Sequence, residues 1–166
     1  MSPIDRLPDS AAVRIFHTAR PLTAGESERL GRTMDAFLAS WTAHGERVAG
    51  AWTLLDGRFL VVAADETRVA LSGCARDQVI HAVRALEGEL AVDILRAPPV
   101  AWRDGAEIRC ADRAAFGELA AAGRVGPETT VFDETVPTLG DIRHGRFEAP
   151  ARATWHARAF DLAVGR

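Results

Sequence analysis

An uninterrupted apolar run, Phe59-Leu-Val-Val-Ala-Ala64, constrains the fold of this chain more than any other feature. Such a run is typical of a strand that other elements cover. A second β-rich run, residues 46–55, precedes it, and the pair Asp56-Gly57 separates the two. Asp-Gly between two β-rich runs is a strong signal for a β-hairpin. The sequence therefore predicts an antiparallel hairpin whose second strand lies inside a sheet.

Two amphipathic helices flank this hairpin. Thr23 and Glu26 have the spacing of a capping box, and an apolar stripe from Leu30 to Trp41 follows, so the first helix is predicted to run to about residue 43. Gly45 would then stop this helix, with His44 against its last carbonyls. A second apolar stripe predicts a helix over about residues 76–90.

Adding strands at residues 13–17 and 92–96 gives the order strand, helix, strand, strand, helix, strand. This is the βαββαβ order of a ferredoxin-like sandwich, so we expect an α+β fold with that domain over residues 13–97. A second Asp-Gly pair at residues 104–105 predicts a small hairpin, helix and strand lobe over residues 98–136. Residues 137–166 are expected to be a tail that packs back on the core.

Composition excludes several classes of function. The net charge of −3 favours neither nucleic acid nor an anionic membrane surface as a partner. No apolar run approaches the roughly 20 residues that span a bilayer, and the first ten residues lack a secretory pattern, so a cytoplasmic protein is expected. The chain has no lysine, which rules out a P-loop and a Schiff base.

The segment Ser72-Gly-Cys-Ala-Arg-Asp77 is the main candidate site. It lies where a loop is predicted to enter the second helix, and a helix start favours anions and thiolates. Cys74 is thus a candidate nucleophile, and Ser72, Gly73 and Asp77 are candidate binding residues. Alternatively, Cys74 is a small buried residue and Ser72 and Asp77 cap the helix.

Two histidines are candidate general bases for Cys74. His44 would act from the end of the first helix, and His156 from a folded-back tail. Alternatively, His44 only caps its helix, while Trp155 anchors the tail in an apolar slot and leaves His156 without a role. Asp65 ends a strand, where it either contributes to a binding site or caps the following loop, and Trp155 is a further candidate binding residue. No spacing typical of a metal site occurs, and no cofactor is expected.

Several short motifs together resemble a family of short bacterial proteins of unknown function, some of which carry an automatic label as an ABC transporter ATPase. The resemblance covers roughly residues 13–160, and the missing lysine gives the ATPase label no support. The motifs that carry it are Trp41-Thr-Ala-His-Gly45, Arg58-Phe-Leu, Asp65-Glu, Ser72-Gly-Cys-Ala-Arg-Asp77, Thr130-Val-Phe132 and Trp155-His156.

A second resemblance concerns residues 100–136, where Trp102, a short helix and Thr130-x-Phe132 are similar to small GYF-type peptide-binding modules, although the Gly-Tyr-Phe tripeptide is missing. That resemblance implies peptide binding through exposed aromatic side chains.

We expect a non-catalytic binding or protein-interaction protein, because each candidate catalytic residue also has a structural explanation. Its partner would be a small anion or another protein, and a homodimer is compatible with an open sheet edge. The alternatives are an acyl- or phosphoryl-transfer enzyme that depends on Cys74, and a peptide-binding module formed by residues 100–136.

Overall fold

The computed structural model describes residues 3–162 as a mixed α+β protein, with five α-helices and three antiparallel sheets in that range. No helix of this range is long and apolar enough to cross a membrane. The strands are β1 (Ala12–His17), β2 (Thr42–Ala43), β3 (Glu46–Arg47), β4 (Ala49–Leu55), β5 (Phe59–Asp65), β6 (Val100–Asp104), β7 (Glu107–Ala111), β8 (Thr130–Phe132) and β9 (Glu148–Pro150). The helices are α1 (Ala24–Ser40), α2 (Gly73–Leu90), α3 (Arg113–Ala121), α4 (Leu139–Arg143) and α5 (Trp155–Ala159).

The chain divides into two compact units. The first unit comprises the chain up to Ala97 together with Pro137–Gly140, and the second comprises Pro98–Val136 and the chain from Asp141 onward. This division differs from the expected one, because most of the predicted tail belongs to the second unit. There, β9 pairs with β8, and Phe160 packs edge-on against Phe116 at 4.7 Å between ring centroids.

The predicted central hairpin forms in the first unit. The strand order is β1-β5-β4, and β5 pairs antiparallel with both neighbours. Asp56 and Gly57 adopt φ values of 51° and 59°, the left-handed pair that a tight hairpin turn requires. The first six residues of β5 are buried, which explains its unbroken apolar sequence.

Helices α1 and α2 supply the rest of this core. Thr23 and Glu26 form the predicted capping box, since Thr23 Oγ1 accepts from Glu26 N and Glu26 accepts from Thr23 N at 2.8 Å. Buried side chains from both helices cluster with alternate residues of β5, and they include Leu30, Met34, Leu60, Val62, Val79, Val83 and Leu86.

The predicted end of the first helix is wrong. Helix α1 ends at Ser40 with Trp41 as its C-cap, and β2 and β3 form a small hairpin whose turn is His44-Gly45. Both turn residues have positive φ, 54° and 80°, so this dipeptide turns a hairpin and does not cap a helix. The buried Trp41 indole accounts for the early stop: its Nε1 donates to Ala75 O at 2.9 Å.

The predicted strand over residues 92–96 is also wrong, so the complete βαββαβ sandwich does not form. The segment is a series of turns, although Val92 and Ile94 are buried and Asp93 O accepts from Ala19 N at 2.9 Å. Glu87 of α2 is the physical reason. Its carboxylate accepts from the backbone N–H groups of residues 94, 95 and 96, and these donors are therefore unavailable to a sheet.

The second unit is built on a four-stranded antiparallel sheet in the order β7-β6-β8-β9. Its first hairpin and its short helix form as predicted, with Gly105 at φ 63° and Asp112 accepting from Ala115 N at 2.8 Å as the α3 N-cap. The core of this unit contains Val100, Trp102, Phe116, Val131 and Leu162.

Candidate functional site

The first turn of α2 holds four of the predicted site residues. Ser72 is the N-cap and accepts from Ala75 N at 3.1 Å, which confirms its capping role. Gly73, Cys74 and Asp77 are exposed. The alternative that Cys74 is buried is therefore wrong, and its thiol is open to solvent.

The two predicted bases belong to different units of the chain. His44 is an exposed turn residue in the first unit, and no hydrogen bond joins it to Cys74 among residues 3–162. His156 belongs to the second unit and is fully buried within it. His44 is therefore not placed as a hydrogen-bonded general base for Cys74.

His156 lies in an aromatic cluster with Trp155, Phe116 and Phe160. The Trp155 ring stacks on the imidazole at 3.9 Å, and the Arg113 guanidinium lies over the Trp155 ring, 4.8 Å from its centroid. This arrangement supports the alternative in which Trp155 anchors the tail, and His156, to which that alternative gave no role, is buried in the same cluster. The anchoring is to the second unit, where the sequence had suggested the first.

Thr154 Oγ1 is the one hydrogen-bond partner of the imidazole within residues 3–162. It lies 2.8 Å from His156 Nδ1 and 3.0 Å from Ala151 O. Within residues 3–162, His156 Nε2 and Trp155 Nε1 are buried polar atoms without a hydrogen-bond partner.

Burial lowers the pKa of His156 from 6.5 to about 4. The attraction of Asp133 opposes this effect, and the repulsion of Arg113 adds to it. The imidazole is thus neutral at pH 7, and it has no access to a substrate.

The first unit contains an open groove that has room for a ligand. It measures about 740 Å³ and lies where β4 begins and β5 ends. The register that pairs Ala49 with Asp65 brings the segment 46–49 opposite the loop 65–69. Seven residues line it: Glu46, Arg47, Val48, Ala49, Asp65, Arg68 and Val69.

Charges of both signs face this groove. Arg47 makes one long hydrogen bond, 3.4 Å from Nη2 to Leu38 O, and Arg68 attracts Asp65 from a distance. No side chain of the described range forms an ion pair with Arg47, Arg68 or Glu46. The hydrogen bonds from the Thr67 side chain and backbone N–H lower the pKa of Asp65, so its carboxylate is charged at pH 7.

Of the predicted site residues, Asp65 alone lines the groove. The sequence pattern missed Glu46, Arg47 and Arg68, because single surface charges carry no local signal. The hairpin centred on Asp56-Gly57 was the signal that could have found them, since its register places residue 49 opposite residue 65. Residues 3–162 contain no group of three or more His, Cys, Asp or Glu side chains that could hold a metal ion.

No family model, curated protein or solved structure matches this chain. The resemblances to the short bacterial family and to GYF-type modules therefore stay predictions. Trp102 is buried and packs edge-on against Phe116 at 5.2 Å, so it offers no exposed aromatic surface for a peptide.

Proposed function

We propose that this chain is a non-catalytic binding protein whose binding site is the groove of the first unit. One observation carries the proposal: a cavity of about 740 Å³ is lined by charged side chains of both signs and small aliphatic ones, with no thiol, hydroxyl or imidazole in its wall. Its volume falls in the range of ligand sites, about 300–1,000 Å³. Groups that could hold a ligand are present there, whereas Cys74 and the two candidate histidines are not part of its wall.

The Cys74 enzyme hypothesis lacks a comparable observation. The thiol is accessible, but its two candidate bases are a solvent-exposed turn histidine and a buried one in the other unit. A cysteine without any function can be exposed at a helix start in the same way, so the exposure of Cys74 does not indicate a catalytic role. Non-catalytic binding therefore remains the function that the geometry supports better.

A blocked groove tests this proposal. Ala49 is an exposed lining residue, and Ala49→Trp would fill the groove from one side. A library of small polar molecules is screened by ligand-observed NMR against the wild-type chain, the blocked variant and Ala85→Trp, which changes an exposed position of α2. We expect ligands that bind the wild type and the α2 control and lose binding to the blocked variant. Ligands that bind all three equally would contradict the groove as the site.

We also propose that the first unit is an incomplete ferredoxin-like sandwich. The order β1-β5-β4 with α1 and α2 supports this proposal, as does the hydrogen bond from Ala19 N to Asp93 O beside the end of β1. The expected homodimer stays a prediction, and light scattering of the purified chain tests it.

A further inference from the structure

The charges of the groove are balanced. Two guanidiniums, Arg47 and Arg68, and two carboxylates, Glu46 and Asp65, line it. A ligand of one sign would be attracted to one pair and repelled by the other, which weakens binding and lowers specificity. A ligand that carries both signs gains from both pairs.

The size of the groove and the residues that line it restrict the class of ligand further. A free amino acid would leave most of the 740 Å³ to water, whereas a peptide of a few residues would occupy it. Val48, Ala49 and Val69 give the wall small apolar patches for short side chains. The groove also begins at the first residue of β4, the edge strand of its sheet, where an extended peptide backbone can find hydrogen-bond partners.

Resting on the proposed function, we propose that the groove binds a short peptide with both ends free. Arg47 and Arg68 receive the terminal carboxylate, and Glu46 and Asp65 receive the terminal ammonium. Guanidinium groups bind carboxylates through paired, charge-assisted hydrogen bonds, so the carboxylate end provides the stronger discrimination.

Tri-alanine is the first probe, because its side chains are small and both of its ends are charged. It is titrated into the uniformly ¹⁵N-labelled full chain alongside its N-acetylated, C-amidated and doubly capped forms. We expect saturable shifts of the amide signals of residues 46–49 and 65–69. We further expect at least about tenfold weaker binding when either end is capped.

The variants test which side chain receives which end. In Arg47→Gln/Arg68→Gln, free and C-amidated tri-alanine should bind equally, while N-acetylation should still weaken binding. In Glu46→Gln, the penalty for N-acetylation should shrink, while the penalty for C-amidation stays. Arg84→Gln on the exposed face of α2 is the matched control and should keep the wild-type preferences. A purely structural role of these residues would lower all affinities together and leave the end-group preferences unchanged.

Three outcomes would overturn the peptide proposal. Acetate alone could shift the groove signals at the same concentrations, the doubly capped peptide could bind as well as the free one, or no peptide could bind. If library ligands are still lost from the Ala49→Trp variant, the groove remains the binding site and only the peptide class is wrong. If no ligand of any kind depends on the groove, the proposed function fails as well.

Discussion

The backbone N–H of Ile94 donates to the Glu87 carboxylate at 2.7 Å, across seven positions of the chain. Leu95 N donates to the same oxygen at 2.7 Å and Arg96 N at 3.4 Å. One side chain of α2 thereby binds a segment whose alternating sequence is typical of a strand. Partial burial by itself would raise the pKa of Glu87, but these N–H donors outweigh it and hold the pKa below its usual range.

Removing this acceptor should destabilise the first unit. Glu87→Ala leaves partly buried N–H groups without a partner, and we expect a loss of about 1–3 kcal/mol in the free energy of unfolding. Glu87→Gln keeps one oxygen acceptor and should lose less. Urea unfolding measures both. Glu89→Ala is the control, because within residues 3–162 the Glu89 side chain bonds only to Thr33 at the surface. Its expected change is within about 0.5 kcal/mol. Equal losses for Glu87→Ala and the control would contradict the role of Glu87.

The Arg20–Glu26 pair should make the stability of the protein depend on pH in the acidic range. The paired hydrogen bonds from Arg20, and then the one from Thr23 N, lower the pKa of Glu26 from 4.5 to about 2. Between these values the unfolded chain binds the proton and the folded chain does not, so stability falls as pH falls from 4.5 to about 2.

The test is urea unfolding at pH 6 and pH 3 in wild type, Glu26→Gln and Glu28→Gln. The Glu26 variant should be less stable at pH 6 and should lose less on acidification. The exposed Glu28 variant should follow the wild type. An unchanged pH dependence in Glu26→Gln would rule out this contribution.

His156 should produce a second pH dependence at higher pH. Its pKa of about 4 in the folded state lies below the unfolded value of 6.5, so the unfolded state binds more protons between them and stability falls as pH falls through that window. One pKa unit corresponds to about 1.4 kcal/mol, so the full effect is on the order of 3 kcal/mol.

His156→Leu has a similar volume and no titratable group, so its stability should change less between pH 7 and pH 4.5 than that of the wild type. The measured quantity is the difference between the two pH values, because the substitution also removes the contact with Thr154. His81→Gln, at an exposed position of α2, is the control and should retain the wild-type dependence. The same loss on acidification in His156→Leu and wild type would disprove the prediction.

Gly50 should tolerate no side chain. A Cβ there would lie 2.7 and 2.8 Å from carbons of the buried Trp41 ring, so Gly50→Ala should cost about 1–3 kcal/mol of stability. Gly88→Ala, in the interior of α2 with nothing within 4 Å, is the matched substitution and should stabilise by up to about 1 kcal/mol. Thermal unfolding compares the two, and effects of the same sign would contradict the packing of Trp41 on Gly50.

Cys74 should react with an alkylating reagent in the folded protein because it is exposed. In a Cys110→Ser background, labelling of Cys74 should proceed without denaturant at the rate of an accessible thiol. Labelling that requires unfolding would show that the thiol is buried. Cys74→Ser should leave ligand binding in the groove unchanged, because the cysteine is not part of its wall.

Local patterns in the sequence predicted the local structure well. The turns at Asp56-Gly57 and Asp104-Gly105 and the caps at Thr23, Ser72 and Asp112 depend on neighbouring residues, and all of them form. The failures depend on distant partners. Residues 92–96 have a strand pattern, but a carboxylate of α2 takes their N–H donors. His44-Gly45 has the pattern of a helix stop, but the helix ends earlier in the chain, at Trp41.

The prediction of the candidate site was limited in the same way, because it also depends on residues that are distant in the sequence. Cys74 and Asp65 stood out by residue type and position, yet only Asp65 reaches the groove. Arg47 and Arg68 line the same groove because of the register of β4 and β5, and no local motif records that register. The role of His156 likewise depends on packing, since Phe116 lies forty positions earlier in the chain.

Trp41 connects three elements, one through its backbone and two through its indole. It caps α1, donates to the first turn of α2 through Ala75 O and fills the space above Gly50 in β4. If the end of α1, the first turn of α2 or the strand at Gly50 unfolds locally, the Trp41 contacts with the other two are lost as well. Loss of the indole's environment should therefore coincide with the cooperative unfolding of the whole first unit.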